Sequence, residues 1–249
     1  MSNRPQIAWR LLACLDLTSL NDAHDDDIAA LCAKAVTPHG SVAAVCSWPE
    51  FAGEMAVRLA NAAPKVAVVI NFPEGEADAG AAAREAEAAR KAGAQELDLV
   101  WPYRAWLAGE RDRACDLITA VKEAGAGALL KVILETGALG EPDTIRQASE
   151  AAIAAGADML KTSTGKIATG ATLPAAQAML ETIQASGGTV GFKASGGLRS
   201  LSDTIAYLEL AEEILGAGWA SPARFRIGAS RLLDDILTAL SPDERAASL

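Results

Sequence analysis

The sequence predicts an α/β fold, a single (β/α)8 (TIM) barrel with a short N-terminal helix. Eight short apolar runs are spread along the 249 residues, with starts about 24 to 34 residues apart, the size of a βα unit. Alanine-rich stretches of helical character lie between the runs, and no linker interrupts the series. The glycine fingerprint GxGxxG is missing after the first run, which argues against an open dinucleotide-binding sheet. Such a sheet also normally uses fewer strands. Residues 1–249 therefore read as one barrel domain.

Residues 1–10 read as a helix or a plug at the barrel bottom. Strands are predicted over Leu11–Leu15, Ser41–Cys46, Lys65–Ile70, Glu96–Val100, Leu129–Leu134, Met159–Thr162, Val190–Ala194 and Arg224–Ile227. The periodicity predicts crossover helices such as Asp78–Ala92, Arg111–Glu123 and Glu141–Ala155. Residues 90–100 and 153–163 echo one another: each runs from a helix end through a glycine (Gly93, Gly156) suited to a left-handed cap into an acidic residue and a strand. The tail 241–249 is polar and is expected to fray.

Composition narrows the function. The chain is 51% hydrophobic and 22% charged, as in soluble proteins with a sizeable core. Its net charge of −10 argues against a nucleic-acid partner, yet leaves room for a small anion held by local basic residues. No apolar stretch is long enough to span a membrane. Cys14, Cys32, Cys46 and Cys115 are widely spaced, and His24 and His39 fall outside any metal-ligand spacing. A cytoplasmic enzyme with reduced thiols, no metal and no cofactor is expected; a homodimer is compatible with the sequence.

The peptide Met159-Leu160-Lys161-Thr162-Ser163-Thr164-Gly165-Lys166 concentrates the chemistry. An apolar run ends in Lys161, a hydroxyl-and-glycine loop follows, and Lys166 closes it. A buried ammonium must be paired, hydrogen-bonded or left neutral, and a neutral amine can attack a carbonyl. Alone, the peptide is equally compatible with a lysine that snorkels to solvent. Lys193, in GFKASGG, ends the seventh run 32 residues later and projects from the neighbouring strand. Two ammonium groups about 5 Å apart at an effective dielectric of about 20 repel by roughly 3 kcal/mol, or about two pKa units. Asp98, between Leu97 and Leu99 on the fourth run, points away from both leucines and can reach the same site as proton acceptor or donor. These three residues make a self-consistent Schiff-base set. Lys131 on the fifth run reads either as a participant or as the partner of a buried acid such as Asp98 or Glu135.

Gly196, Gly197 and Arg199 follow the seventh run, and Gly228 and Ser230 follow the eighth. Loops at these places commonly cradle phosphate, and Gly165 with Lys166 closes the cradle. Asp16, Thr18 and Asn21, just beyond the first predicted strand, either orient substrate hydroxyls or form an Asx turn or cap. Cys46 either lines the mouth or packs as a small hydrophobe. Trp101-Pro102-Tyr103-Arg104 reads as a packed loop, and Glu135 and Thr136 as members of a polar network.

LDLTSLN at 15–21, ELDLVWPYRA at 96–105, KVILETG at 131–137, KTSTGK at 161–166, GFKASGGLR at 191–199 and RIGAS at 226–230 occur in one order. In these motifs the chain resembles the deoxyribose-phosphate aldolases from about residue 10 to 235. The resemblance implies a metal-free class I aldolase on a (β/α)8 barrel that interconverts 2-deoxy-D-ribose 5-phosphate with acetaldehyde and D-glyceraldehyde 3-phosphate. It implies Lys161 as the Schiff-base lysine, Lys193 as the lysine that depresses its pKa, and Asp98 as the acid/base acting through a water. It also implies Gly165, Lys166, Gly196, Gly197, Arg199, Gly228 and Ser230 around the phosphate. The chain departs from some members in three places: Arg231 replaces a serine, Ala194-Ser195 replaces Pro-Ala, and the C-terminal tyrosine is missing. Two competing readings are another phosphate-binding barrel, such as an epimerase or a different lysine aldolase, and a catalytically silent sugar-phosphate binder.

Overall fold

A computed structural model describes residues 4–241. Eight parallel strands close into a barrel: β1 (Leu15–Thr18), β2 (Ala44–Ser47), β3 (Lys65–Ile70), β4 (Glu96–Val100), β5 (Leu129–Ile133), β6 (Met159–Lys161), β7 (Gly191–Ser195) and β8 (Phe225–Ala229). Each strand pairs with its neighbours in sequence, and β8 closes on β1 with Leu15 opposite Ile227. The helices are α1 (Arg4–Ala13), α2 (Ile28–Lys34), α3 (Ala52–Arg58), α4 (Ala79–Ala92), α5 (Tyr103–Leu107), α6 (Arg111–Ala124), α7 (Thr136–Leu139), α8 (Pro142–Ala154), α9 (Leu173–Ala185), α10 (Leu201–Leu215) and α11 (Leu232–Leu240). Among the described residues no helix is long and apolar enough to cross a membrane.

The crossover helices carry the signals expected of them. Asp78 caps α4 by accepting from Ala81 N at 2.8 Å, and Gly93 ends it in the left-handed region at φ 114°. Gly156, its counterpart in the internal echo, has φ 107°.

Two predicted strands need correction. The run Leu11–Leu15 is not the first strand: Leu11 and Leu12 belong to the buried face of α1, and β1 begins only at Leu15. A short apolar run fits a buried helical turn as well as a strand, and periodicity does not separate the two. In Ser41–Cys46 the start belongs elsewhere. Ser41 pairs with Val36 in a separate two-residue hairpin, and β2 starts at Ala44. The N-terminal segment is the helix α1, whose Arg10 donates to Glu212 of α10. The tail expected to fray lies, beyond Ser241, outside the described residues.

Alternation along the strands sorts side chains into two environments. Leucine, valine, isoleucine and phenylalanine on one face, among them Leu97, Leu99, Leu130, Val132, Phe192 and Ile227, join the buried core shared with the helices. The other face looks into the barrel. Over β2 and β3 this interior is apolar, with Ala44, Cys46, Ala67 and Val69 under Trp48, flanked by Leu20, Phe51 and Phe72. On the remaining strands it is ionic.

Gly228 makes room for that ionic interior. A Cβ at residue 228 would lie 2.9 Å from Lys193 Cε and 3.0 Å from Ser195 Cβ. Gly228→Ala is therefore expected to cost about 1–3 kcal/mol of stability through overpacking. It should also lower turnover by displacing Lys193; urea denaturation and kcat check the two effects.

Candidate active site

Seven charged side chains meet inside the barrel. At the lower end, Arg226 of β8 donates from Nη2 to Glu96 of β4 at 2.8 Å and from Nη1 to Asp16 of β1 at 2.6 Å. Lys131 Nζ lies 2.6 Å from Glu96, 3.0 Å from Asp16 and 2.9 Å from Asp98. Lys193 Nζ lies 2.6 Å from Asp16 and 2.7 Å from Asp98. Lys161 Nζ reaches one carboxylate only, Asp98 Oδ2 at 2.7 Å. Register accounts for part of this meeting, because Asp98 pairs with Lys131 and Lys161 with Lys193. Closure accounts for the rest: β1 faces β5, and β4 faces β8, only across a closed barrel.

The charges do not balance. Lys131, Lys161, Lys193 and Arg226 face Asp16, Glu96 and Asp98, four bases against three carboxylates, all buried. An uncompensated buried charge is costly, so one base is best left neutral. Lys161 has the fewest carboxylate partners. Burial pushes its pKa below that of an ordinary lysine; Asp98 opposes this, and Lys193 adds to the lowering. Burial, then, outranks the neighbouring ammonium as the cause. For Lys193 and Lys131 burial also works against the charge, but the carboxylates outweigh it: Asp16 and Asp98 raise the pKa of both, and Glu96 adds to that of Lys131. Asp98, despite its burial, is held well below the usual carboxylate range by Lys131, Lys161 and Lys193.

The weaker candidates separate. Asp16 lies within β1, not beyond it, and is neither an Asx turn nor a surface contact: it is fully buried between Lys131, Lys193 and Arg226. Lys131 is paired with acids, but with Asp16, Glu96 and Asp98 and not with Glu135. Thr18 lines the mouth, and its Oγ1 donates to the Asp16 carbonyl at 2.9 Å. Asn21 is exposed and forms an Asx turn, Oδ1 accepting from Ala23 N at 3.1 Å. Cys46 Sγ lies 4.0 Å from Asp98 Oδ2, and burial, reinforced by Asp98, pushes its pKa up to about 11, which keeps it a thiol. Trp101 is buried and donates to the Leu134 carbonyl at 3.0 Å, while Tyr103 begins α5.

Above the ionic cluster a pocket of about 400 Å³ opens at the C-terminal strand ends. Lys161 forms part of its floor, and Gly165, Lys166, Gly196, Gly197, Arg199, Gly228 and Ser230 all line it. Lys166 is not free to face an anion as the structure stands: its ammonium contacts the Asp22 carboxylate and the Leu20 carbonyl. Arg231 lines the pocket too, beside Leu20, Thr164, Ser195, Leu198 and Ala229, none of which had been singled out as a site residue. Most of these are immediate neighbours of residues that were, so loop membership was the usable signal. Glu96 and Arg226 were also missed. Their signal is the one that found Asp98, a charge inside an apolar strand run. Among the described residues no group of three or more His, Cys, Asp or Glu side chains is placed to hold a metal ion.

Known proteins resemble this chain in sequence and in fold. The model of the DeoC/LacD family aldolases matches residues 11–235. The deoxyribose-phosphate aldolase of Agrobacterium fabrum is 47% identical over 247 residues, covering 98% of this chain and 95% of that one. The apo form of a protein from Toxoplasma gondii ME49, assigned as a deoxyribose-phosphate aldolase, superposes with a TM-score of 0.87 at 27% identity, over 97% of this chain and 98% of that one. The tetrameric deoxyribose phosphate aldolase of Aeropyrum pernix gives a TM-score of 0.73 at 27% identity, over 96% and 92% of the two chains. With the family match spanning most of its length and an aldolase relative at nearly half identity, the chain belongs to the DeoC/LacD family of aldolases.

Proposed function

We propose that this aldolase cleaves 2-deoxy-D-ribose 5-phosphate reversibly to acetaldehyde and D-glyceraldehyde 3-phosphate, through a Schiff base on Lys161. One observation carries the proposal: the least compensated lysine of a cation-rich buried cluster forms part of the floor of a pocket whose rim is glycine-rich and basic. The apolar patch under Trp48 and Phe72 suits the two-carbon end of the substrate. The Gly196, Gly197, Arg199 and Arg231 side suits the phosphate.

Neutral Lys161 Nζ attacks C1 of the open-chain sugar to give a carbinolamine. Asp98, 2.7 Å from that nitrogen, works with a water to expel the C1 hydroxyl as water, leaving the iminium. The same water, backed by Asp98, takes the C3 hydroxyl proton, the C2–C3 electron pair moves into the iminium, and glyceraldehyde 3-phosphate departs. The resulting enamine takes a proton at C2, and hydrolysis returns acetaldehyde and free Lys161. Phosphate contacts lie away from the reacting bond, so their binding energy serves to position it. The free thiols of Cys14, Cys32, Cys46 and Cys115 support a reducing, cytoplasmic setting for this chemistry.

Borohydride reduction in the presence of acetaldehyde, followed by peptide mapping, tests the mechanism. The expected product is an ethyl adduct on Lys161. No trapped adduct, or an adduct confined to another lysine, would sink it.

A further inference from the structure

We propose that Glu135 is a positioning residue that, through Thr164, holds the loop between Lys161 and the phosphate cradle in its anion-binding shape. The proposal rests on the aldolase function above. Glu135 follows β5 and is one of three non-glycine residues with positive φ among the described residues, at φ 55° and ψ 59°. Such backbone is strained for a side chain that carries a Cβ and persists only where its surroundings impose it. Here it aims a fully buried carboxylate at the neighbouring loop. Glu135 Oε2 accepts from Thr164 Oγ1 at 2.5 Å, and Oε1 accepts from Thr164 N at 3.3 Å. Thr164 Oγ1 in turn accepts from Lys166 N at 3.0 Å. Three consecutive residues that line the pocket, Thr164, Gly165 and Lys166, are thus organised from one carboxylate.

Apart from the ion pair of Lys166 with Asp22 at its far end, the other grips on this loop are uncharged. Thr136 N donates to the Thr162 carbonyl at 2.9 Å. On the far side the segment lies against β7's end so closely that a Cβ on Gly170 would meet the Gly196 carbonyl oxygen at 2.3 Å. Packing of that kind sets where the loop lies but not how its peptide groups are turned. A carboxylate accepting both the N–H and the O–H of Thr164 does set that orientation. It is also an expensive choice beside an anion site: burial pushes its pKa up against the Thr164 hydrogen bonds, and as a carboxylate it repels the ligand that the loop is to hold. A neutral acceptor would suffice for folding alone.

Kinetics of the full chain with deoxyribose 5-phosphate and with unphosphorylated deoxyribose test this. Glu135→Ala should raise KM for the phosphorylated sugar about tenfold more than for the free sugar, the scale of one charge-assisted hydrogen bond. Glu135→Gln, which keeps a carbonyl acceptor for Thr164, should recover part of the loss. Thr164→Val should reproduce the split, and the double variant should be no worse than either single one. Should Glu135→Ala fail to fold, the Thr164→Val split decides by itself. Calorimetric binding of inorganic phosphate to wild type and variants reads the same clamp without turnover. If wild type processes neither sugar yet loses phosphate affinity on substitution, the assigned reaction fails and the clamp stands. Equal KM changes for both sugars, additive single effects, or unchanged phosphate affinity would overturn the proposal.

Discussion

Lys161→Met is expected to remove aldolase activity, by at least about 10⁴-fold, the scale of losing a covalent nucleophile. The fold should tolerate it. Methionine matches the length and apolar body of the lysine stem, and its removal leaves Lys131, Lys193 and Arg226 facing Asp16, Glu96 and Asp98, three charges against three. Thermal unfolding within a few degrees of wild type, together with lost turnover and lost borohydride trapping, is the predicted pair of results. Strong destabilisation would mean that Lys161 is a charged structural member of the cluster. Residual activity near wild type would mean that the nucleophile is elsewhere.

Lys193→Leu should leave Lys161 in place but keep it protonated. The count is again the reason: three bases remain for three carboxylates, so no excess charge favours a neutral Lys161. Asp98 also loses one of the two ammonium groups at its Oδ2 and holds the other more firmly. Burial still lowers the pKa of Lys161, but the repulsive contribution of Lys193 is gone. The sign follows: the active form is the neutral amine, so a raised pKa moves the rise in rate to higher pH. The acid limb of the pH–rate profile should therefore move to higher pH, and turnover near pH 7 should fall while activity at higher pH is better retained. An unchanged profile with lower activity would show that Lys193 acts by another route.

Much of the site was legible because its chemistry is punctuated by strand ends. Lys161, Lys193 and Asp98 each interrupt or close an apolar run, and spacings of one βα unit between the lysines and two between Asp98 and Lys161 place them at one mouth. The glycine loops were legible for the same reason. Asp16 was not, because helix α1 ends in an apolar run that mimics a strand and shifts the expected β1 by four residues, from Leu11 to Leu15. That shift turned a buried acid into an apparent loop residue. Lys166 shows a different limit. Its place at the pocket was readable, whereas its contact with Asp22 joins loops 144 residues apart and left no local trace.

By itself, the sequence determined the barrel and the order of its units and singled out Lys161, Lys193 and Asp98, because helix and strand periodicity, caps and strand-end charges are all local properties. Closure decided the electrostatics. Asp16 meets Lys131, and Glu96 meets Arg226, only when opposite strands face one another across a common interior. Only there does the count of four bases to three carboxylates acquire an energy, since charges compete for partners when water has been removed. Along the sequence Lys161 stood out only in company with Lys193 and Asp98; the reason that it can be neutral came from seven residues on six strands.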